Sequence, residues 1–296
     1  MSLAPRVVLV HRRTELDGLL ARHGTRGQAE FFLRTRGRTL AELDAAAERQ
    51  HAALTAVAAA VPLDWRRGGV EREDLPRFLF APEDVVVVVG QDGLVANVAK
   101  YLDGQVVLGV DPDPGRNPGV LVRHRPQAAA SLLQHALAAD AHVERRTMVC
   151  ARTDDGQELH ALNEVFAGHR SHQTSRYALT AGGRSEVQAS SGVLVGTGTG
   201  ATGWCGSLAR QVAGCTLPAP TDASLAWFVR EAWPSPATGT ALTAGTVAAG
   251  DEPLLVEARS EELVVFGDGL EEDRLTLGWG QRLSVQVSSR TLRLLR

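Results

Sequence analysis

An acidic side chain lies within a glycine turn that directly follows an apolar run: Val85 to Val89 precedes Gly90-Gln91-Asp92-Gly93. Glycine lets backbone N–H groups approach a phosphate closely, and the N-terminus of a following helix favours negative charge. A carboxylate there repels phosphate unless it handles a metal ion or takes a proton from an attacking hydroxyl. We therefore interpret Asp92 as a phosphoryl-transfer residue in a phosphate-binding turn. The alternative is an ordinary helix-capping aspartate.

A second polar loop, residues 111–119, follows the next apolar run, residues 106–110. It reads Asp-Pro-Asp-Pro-Gly-Arg-Asn-Pro-Gly, and its prolines and glycines fix its course. Ligands of open α/β sheets bind beyond the carboxyl ends of the strands, so we expect this loop to lie beside the glycine turn. The side chains that it would bring there are Asp111, Asp113, Arg116 and Asn117. The alternative is a proline-stiffened linker.

Two further segments interrupt the pattern of the second half of the chain. Asn163 and Glu164 put an amide and a carboxylate into an apolar strand, which suits hydrogen bonding to sugar hydroxyls. The segment Gly196-Thr-Gly-Thr-Gly-Ala-Thr-Gly203 offers backbone and hydroxyl donors to a ligand. The alternatives are a strand end or bulge for the first segment and a flexible turn for the second.

The elements that must carry these residues are predicted from apolar patterns. Five consecutive valines cannot alternate inward and outward, so residues 85–89 indicate a strand covered on both faces, as in a parallel α/β sheet. A helix follows to about Leu102, and Val7 to Val10 predicts the first strand. Thr39-Leu-Ala-Glu42 is read as a capping box for a long helix that ends at Pro62. Residues 11–27 are interpreted as a solvated polar loop, or alternatively as a phosphate pocket lined by Arg12, Arg13, Arg22 and Arg26.

The pattern changes after a helix predicted from Pro126 to about Ala139. Short β-like runs separated by glycine turns then continue to the end of the chain. They are residues 142–152, 158–166, 176–180, 187–190, 192–195, 254–258, 263–266, 274–277, 283–287 and 291–295. The prediction is an α/β domain with a parallel sheet over residues 1–122 and a β-rich, mostly antiparallel domain over residues 123–296.

Composition narrows the functional classes. A formal charge of -3 over 296 residues gives no basic excess for nucleic acid, and no apolar run is long enough for a membrane span. The N-terminus carries no targeting pattern, so we expect a cytoplasmic protein. Lys100 is the one lysine, which excludes a Walker P-loop. The nine histidines form no zinc motif, and we expect no transition metal; the three cysteines are expected to be reduced.

Taken in order, these segments resemble the motifs of the NAD kinase family, in particular the divergent branch that includes the mitochondrial enzyme and its bacterial relatives. The similarity covers most of the chain. Four segments at fitting separations carry it: Val89-Gly-Gln-Asp-Gly93, Gly109-Val-Asp-Pro-Asp-Pro-Gly-Arg116, Ala161-Leu-Asn-Glu-Val165 and Ser190-Ser-Gly-Val-Leu-Val-Gly-Thr-Gly-Thr-Gly200.

The resemblance implies a two-domain fold in which ATP, with Mg²⁺, phosphorylates the adenosine 2′-hydroxyl of NAD at a site between the domains. It implies a homodimer or homotetramer with no nucleic-acid or membrane partner. Asp92 would be the catalytic base or metal-linked carboxylate. The residues that would bind nucleotide or phosphate are Gly90, Gln91, Gly93, Asp111 and Arg116. Those that would bind NAD are Asn163, Glu164, Thr197, Gly198, Thr199, Gly200 and Thr202.

Four positions depart from the usual family pattern. Gln91 replaces the second glycine of Gly-Gly-Asp-Gly-Thr, and Leu94 replaces its threonine. Ser191 stands where the main branch usually has aspartate, and Trp204 where it has tyrosine. Two alternatives therefore stay open: a related kinase with a lipid or sugar acceptor, and a non-catalytic regulator that binds a dinucleotide.

Overall fold

The computed structural model describes residues 4–116, 119–138, 140–212 and 214–296. The chain divides into two compact units. The first contains the described residues up to Val98, together with Gln105–Val143 and Arg293–Arg296. The second contains Ala99–Gly104 and Glu144–Leu292.

The first part of the chain alternates strands with helices, as its apolar runs predict. The valine run and the run after it form strands that are buried at every residue. The elements are β1 (Arg6–His11), α1 (Glu15–His23), α2 (Arg26–Arg34), α3 (Leu40–Ala60), β2 (Arg66–Glu71), β3 (Val85–Val89), α4 (Asp92–Ala99), β4 (Val106–Val110) and α5 (Ala129–Ala136).

The sheet of the first unit is parallel, with the strand order β2-β1-β3-β4. Val87 on β3 is in register with Leu108 on β4. Both pack in one apolar cluster with Val57 of α3 and Leu133 of α5. Since every residue of β3 is buried, both of its faces are covered, which explains why it consists of valine alone. The predicted α/β unit is therefore confirmed.

Residues 11–27 are not the solvated loop that the sequence suggested. They hold the end of β1, the whole of α1 and the start of α2. Thr14 caps α1 in a reciprocal capping box, since its Oγ1 accepts from the Asp17 N–H (3.1 Å) and the Asp17 carboxylate accepts from the Thr14 N–H (3.0 Å). Leu16 and Leu19 lie buried in a small cluster with α2 and α3. Arg12, Arg13 and Arg22, which flank these leucines in the sequence, hid the helical spacing.

Two other sequence predictions for the first unit need correction. The long helix does begin at Leu40, but the Thr39 side chain makes no capping hydrogen bond. The predicted domain boundary after residue 122 falls inside the first unit. The segment that follows that boundary stays with this unit because Ala129 and Leu133 pack in its core. The predicted end of α5 at Ala139 lies outside the described residues.

The second part of the chain is β-rich and mostly antiparallel, as predicted. Its elements are β5 (Val143–Thr153), β6 (Glu158–Ala161), β7 (Glu164–Gly168), β8 (Ser175–Ala181), β9 (Arg184–Ser190), β10 (Gly192–Gly196), α6 (Trp204–Ala209), β11 (Ser224–Arg230), β12 (Ala244–Ala248), β13 (Leu254–Ala258), β14 (Glu262–Gly267), β15 (Leu270–Gly278) and β16 (Arg282–Leu295).

Two sheets form the second unit. One has the order β12-β11-β10-β7-β14-β15, and the other places β16, β13, β8 and β9 side by side, with β5 joining β16 and β6. Side chains of both sheets, such as Tyr177, Trp227 and Val256, share one apolar core. The two last predicted runs form the single strand β16, whose final residues Arg293 and Leu294 pair in parallel with β4 of the first unit.

No helix within the described residues is long and apolar enough to cross a membrane. The three cysteines are free, with Cys150 and Cys205 buried and Cys215 partly exposed.

Candidate functional site

A cavity of about 560 Å³ lies in the first unit, where β1, β3 and β4 end. Each strand passes into a segment that lines it, as expected for an open parallel sheet. Predicted site residues in its wall are Gly90, Gln91, Asp111 and Arg116, and they are joined by Arg12, Arg13, Thr14, Glu15, Arg38, Glu42, Arg49, Gln50 and Asp113. The strand ends therefore bring the two predicted phosphate segments together.

The glycine turn after β3 is held tightly on one side and is open on the other. The Gly90 N–H donates to the Val110 carbonyl at 3.0 Å, and a Cβ added at Gly90 would lie 3.0 Å from Leu94 Cδ2. A Cβ added at Gly93 would meet no heavy atom within 4 Å. Gln91 is exposed and lines the cavity. The turn thus offers backbone and one amide side chain to a ligand.

The Asp92 carboxylate is engaged with the chain's own backbone. Its Oδ1 accepts from the N–H groups of Leu121 (2.8 Å) and Val122 (3.0 Å), and its Oδ2 accepts from that of Val120 (2.9 Å). These bonds fix the segment that leads away from the 111–116 loop. Asp92 is not part of the cavity wall. In this arrangement a substrate hydroxyl would have to share a carboxylate oxygen with a backbone amide.

The loop after β4 is organised by its two aspartates. Buried Asp111 accepts from the Asp113 N–H at 2.9 Å, which closes a tight turn. Asp113 in turn forms ion pairs with Arg49 at 3.1 Å and with Arg116 at 3.7 Å. Asn117, which the sequence placed beside the turn, lies outside the described residues.

The cavity wall carries charge of both signs. Five arginines and four carboxylates line it, the carboxylates being those of Glu15, Glu42, Asp111 and Asp113. Arg12 and Arg13 are among the arginines, whereas Arg22 and Arg26 are not. Arg38 pairs with Glu15 at 2.6 Å, and this bond lowers the pKa of the Glu15 carboxyl. Guanidinium groups suit phosphate, while carboxylate oxygens are ligands that Mg²⁺ prefers, so the wall fits a magnesium-bound nucleotide.

The predicted NAD-binding segment of the second unit is fixed by a residue that the sequence did not single out. Asp268, at the turn after β14, accepts from the N–H groups of Leu162 (2.8 Å), Asn163 (2.7 Å) and Glu164 (3.3 Å). Its backbone is in the left-handed region, with φ at 54°. The strain of that conformation is offset by three charge-assisted hydrogen bonds. Asp268 therefore sets the direction in which Asn163 and Glu164 project.

The glycine-rich loop after β10 packs directly on the same segment. Thr197 donates its N–H to the Asn163 carbonyl at 2.9 Å and its hydroxyl to the Leu162 carbonyl at 2.5 Å. A Cβ at Gly200 would lie 2.5 Å from that Asn163 carbonyl oxygen, so only glycine fits. Most of the predicted loop residues are buried, namely Thr197, Gly198, Thr199 and Gly200, whereas Thr202 is exposed. The loop thus supports Asn163 and Glu164, and Thr202 is its accessible hydroxyl.

Glu164 titrates near neutrality. Burial, and then the charge of Asp268, raise the pKa of Glu164 to about 7. Burial also raises the pKa of Asp268 to about 6, although its backbone hydrogen bonds and Lys100 oppose the shift. Lys100 is itself buried, with its Nζ 2.7 Å from Asp273 Oδ1 and 3.3 Å from the Gly267 carbonyl. A carboxyl with such a pKa can accept a proton at physiological pH.

Sequence inspection missed three residues of this region. Asp268 could have been found, since Asp268-Gly269 follows an apolar run just as Asp92-Gly93 does. Lys100 was noted only for its rarity. Arg146 is fully buried, pairs with Glu144 at 2.7 Å and donates to Thr199 Oγ1 at 3.3 Å, and nothing local in the sequence marks it.

Comparison with protein-family models and with curated proteins finds no match to this chain. The order of the motifs and the geometry of their side chains are therefore the observations that bear on function.

Proposed function

We propose that this protein is an ATP-dependent kinase similar to the NAD kinases, which transfers the γ-phosphoryl group of ATP to the adenosine 2′-hydroxyl of NAD. The observation that carries the proposal is the cavity at the ends of β1, β3 and β4, with Gly90, Gln91 and the 111–116 loop in its wall. A glycine turn, several arginines and carboxylates around one cavity suit a nucleotide with its magnesium ion. The identity of the acceptor comes from the motif resemblance.

The first unit would bind the phosphates of the donor. Backbone N–H groups of the open turn at Gly93 and guanidinium groups such as those of Arg12 and Arg116 would compensate the phosphate charge. Of the carboxylates that line the cavity, Glu42 is the best suited to the magnesium ion, because Glu15 and Asp113 already form ion pairs with arginines. The ion would neutralise charge on the phosphate oxygens as the bond to ADP breaks.

The second unit would bind NAD. Asn163 and Glu164 project from a segment that Asp268 and Thr197 hold through the backbone, so their side chains are preorganised. An amide and a carboxylate can together bind the hydroxyls of a ribose. The exposed Thr202 hydroxyl is a further donor.

The reaction needs a group that takes the proton of the 2′-hydroxyl as its oxygen attacks the γ-phosphorus. The motif resemblance assigns this role to Asp92, but both Asp92 oxygens already accept backbone N–H groups. Glu164 is the second candidate, because its pKa of about 7 matches the working pH of such a base. The two assignments predict different effects of Asp92→Asn and Glu164→Gln on turnover.

One assay tests the proposal. Purified protein is incubated with NAD, ATP and Mg²⁺, and NADP is measured with an NADP-specific dehydrogenase. Formation of NADP that requires ATP and is abolished by a magnesium chelator supports the proposal. Absence of NADP from folded protein that binds both nucleotides contradicts it.

The engagement of Asp92 favours a second candidate, a regulator that binds the dinucleotide without turnover. If this candidate is correct, calorimetry with NAD shows saturable binding that Asn163→Ala weakens, while no NADP forms at any ATP concentration. The two candidates therefore differ in one measurement on the unmodified protein.

A further inference from the structure

A group of side chains in the second unit, away from the residues discussed so far, has the composition of a zinc site. Cys150, Glu158 and His160 each offer one ligand atom, and these atoms all lie within 4.8 Å of one another. Cys150 on β5 faces His160 on β6, and Glu158 is two residues before His160. Because alternate residues of a strand share a face, the three side chains project from the same face of the β5–β6 hairpin.

The imidazole of His160 is oriented from one side. His160 is 6 % exposed, and its Nδ1 lies 3.0 Å from Ser288 Oγ, which also accepts from the Arg290 N–H at 2.9 Å. Metal-binding histidines almost always use their second ring nitrogen in such a hydrogen bond, which fixes the tautomer. Burial, and then the charge of Arg290, lower the pKa of His160.

The other nitrogen of this ring lacks a hydrogen bond. His160 Nε2 is buried and lies 2.6 Å from Glu158 Oε1, but the contact does not have hydrogen-bond geometry. When Nδ1 donates to Ser288, Nε2 carries a lone pair that points at a carboxylate oxygen. A positive charge shared by the two atoms, either a proton or a metal ion, accounts for this close approach.

We propose that Cys150, Glu158 and His160 bind one Zn²⁺ ion through sulfur, oxygen and nitrogen, with a water in the fourth position. Zinc takes tetrahedral sites of these donor types with bonds of about 2.0–2.3 Å, which separates neighbouring ligand atoms by about 3.5 Å. Glu158 must therefore move back slightly from His160. Its side chain is 29 % exposed and has the freedom to do so.

The remaining groups of the hairpin are compatible with the ion. Arg152 binds the other oxygen of Glu158, with its Nη2 2.5 Å from Oε2, so Oε1 is left for the metal. A hydrogen-bonded second oxygen is the usual support of a carboxylate ligand. Zinc binding displaces the thiol proton of Cys150 to solvent as the zinc–sulfur bond forms.

The site would close the β5–β6 hairpin from one face, in a region that the proposed phosphoryl transfer does not use. The expectation of no transition metal came from histidine spacing alone. A cysteine and a histidine that meet across two antiparallel strands have no fixed sequence spacing. No sequence motif could therefore identify them.

The test uses the full chain after treatment with a chelator and its removal. Zn²⁺ alone is titrated by calorimetry, and Co²⁺ is used as a spectroscopic probe, since a thiolate ligand gives a charge-transfer band and a tetrahedral site gives strong visible bands. We expect one equivalent of either ion. Cys150→Ser and His160→Gln should each weaken binding at least tenfold, and Cys150→Ser should remove the charge-transfer band. Cys215→Ser, a cysteine outside the cluster, is the matched control and should bind as the unmodified chain does.

The Cys150 and His160 variants change buried residues and could fail to fold. Glu158→Gln therefore provides a second test, because Glu158 is partly exposed. It should keep the fold, as judged by circular dichroism, and weaken Zn²⁺ binding. The proposal is overturned if the folded, unmodified chain binds no stoichiometric Zn²⁺, or if binding is unchanged in folded Glu158→Gln and His160→Gln.

Discussion

Asp92 in the first unit and Asp268 in the second are used in the same way. Each precedes a glycine at a turn after a buried strand, and each carboxylate accepts three consecutive backbone N–H groups from a distant segment. For Asp92 the segment is Val120–Val122, at 2.8–3.0 Å. For Asp268 it is Leu162–Glu164, at 2.7–3.3 Å. A carboxylate in either turn therefore fixes a strand-connecting segment that short-range sequence does not specify.

The two segments differ in what they carry. The one bound by Asp92 consists of apolar residues, whereas the one bound by Asp268 ends in Asn163 and Glu164. The second carboxylate thus holds another carboxylate near it, and burial, followed by the charge of Asp268, raises the pKa of Glu164 to about 7. In the first unit, a carboxylate that binds backbone N–H groups only positions a segment. In the second unit, the same kind of carboxylate also raises the pKa of a neighbouring carboxyl group.

The largest expected effect is that of Asp92→Asn. If Asp92 takes the proton or handles the metal, transfer to NAD falls by roughly two to four orders of magnitude. The amide also turns an N–H toward that of Val120, so we expect a stability loss of about 1–3 kcal/mol. Turnover is measured with NAD and ATP, and stability by urea unfolding. A folded variant with full activity would remove Asp92 from the chemistry and leave it the purely positional role described above.

The next effect is that of Glu164→Gln on the free energy of unfolding. This effect should depend on pH because the pKa of Glu164 is shifted in the folded chain. The pKa of Glu164 is raised from 4.5 to about 7, so the folded chain favours the neutral carboxyl. The contribution of the neutral Glu164 carboxyl to the free energy of unfolding is fully present below pH 4.5 and is lost as the pH rises through 7. Glutamine, always neutral, should therefore raise the free energy of unfolding by about 3 kcal/mol at pH 8 and change it little at pH 4.

Unfolding in urea at several pH values measures that difference. Glu42→Gln, at an exposed carboxylate of the first unit, is the control and should show no such pH dependence. A pH-independent difference for Glu164→Gln would mean that the pKa of Glu164 is the same in the folded and the unfolded chain.

A smaller effect is expected for ligand affinity. Replacing Asn163 and Glu164 together by alanine should weaken NAD binding by about ten- to a hundredfold, the cost of one or two lost hydrogen bonds to a buried ligand. ATP binding should change much less, because the cavity of the first unit keeps all its lining residues. Calorimetric titrations with each nucleotide provide the measurement, and equal weakening of both would contradict the assignment.

The smallest effect is that of Gln91→Gly, which tests the departure from the usual glycine. Gln91 lines the cavity, so a hydrogen bond from its amide to phosphate would contribute on the order of 0.5–1.5 kcal/mol to transition-state stabilisation. We expect kcat/KM to fall by a factor of about 2–10. Activity that appears only in the glycine variant would instead identify Gln91 as an obstruction and favour the regulator.

Much of the first unit could be predicted from the sequence because its strands β3 and β4 are buried at every residue and read as unbroken apolar runs. The helix α1 was missed since its buried face consists of only two residues, Leu16 and Leu19, in a segment of nine. The carboxylate turns show the physical limit of such inference. Asp268 acts on residues more than a hundred positions earlier, and local spacing carries no information about that contact. The same holds for Cys150 and His160, which meet only once β5 and β6 pair.

The pairing of Arg293 and Leu294 with β4 has a consequence for synthesis on the ribosome. Val106 and Val107 are synthesised long before these partners. The backbone groups on that edge of β4 therefore remain unpaired while the β-rich second unit is being made. An open parallel edge of this kind is prone to associate with other chains. Removing residues 293–296 should therefore raise aggregation of the chain on expression, measured as the insoluble fraction.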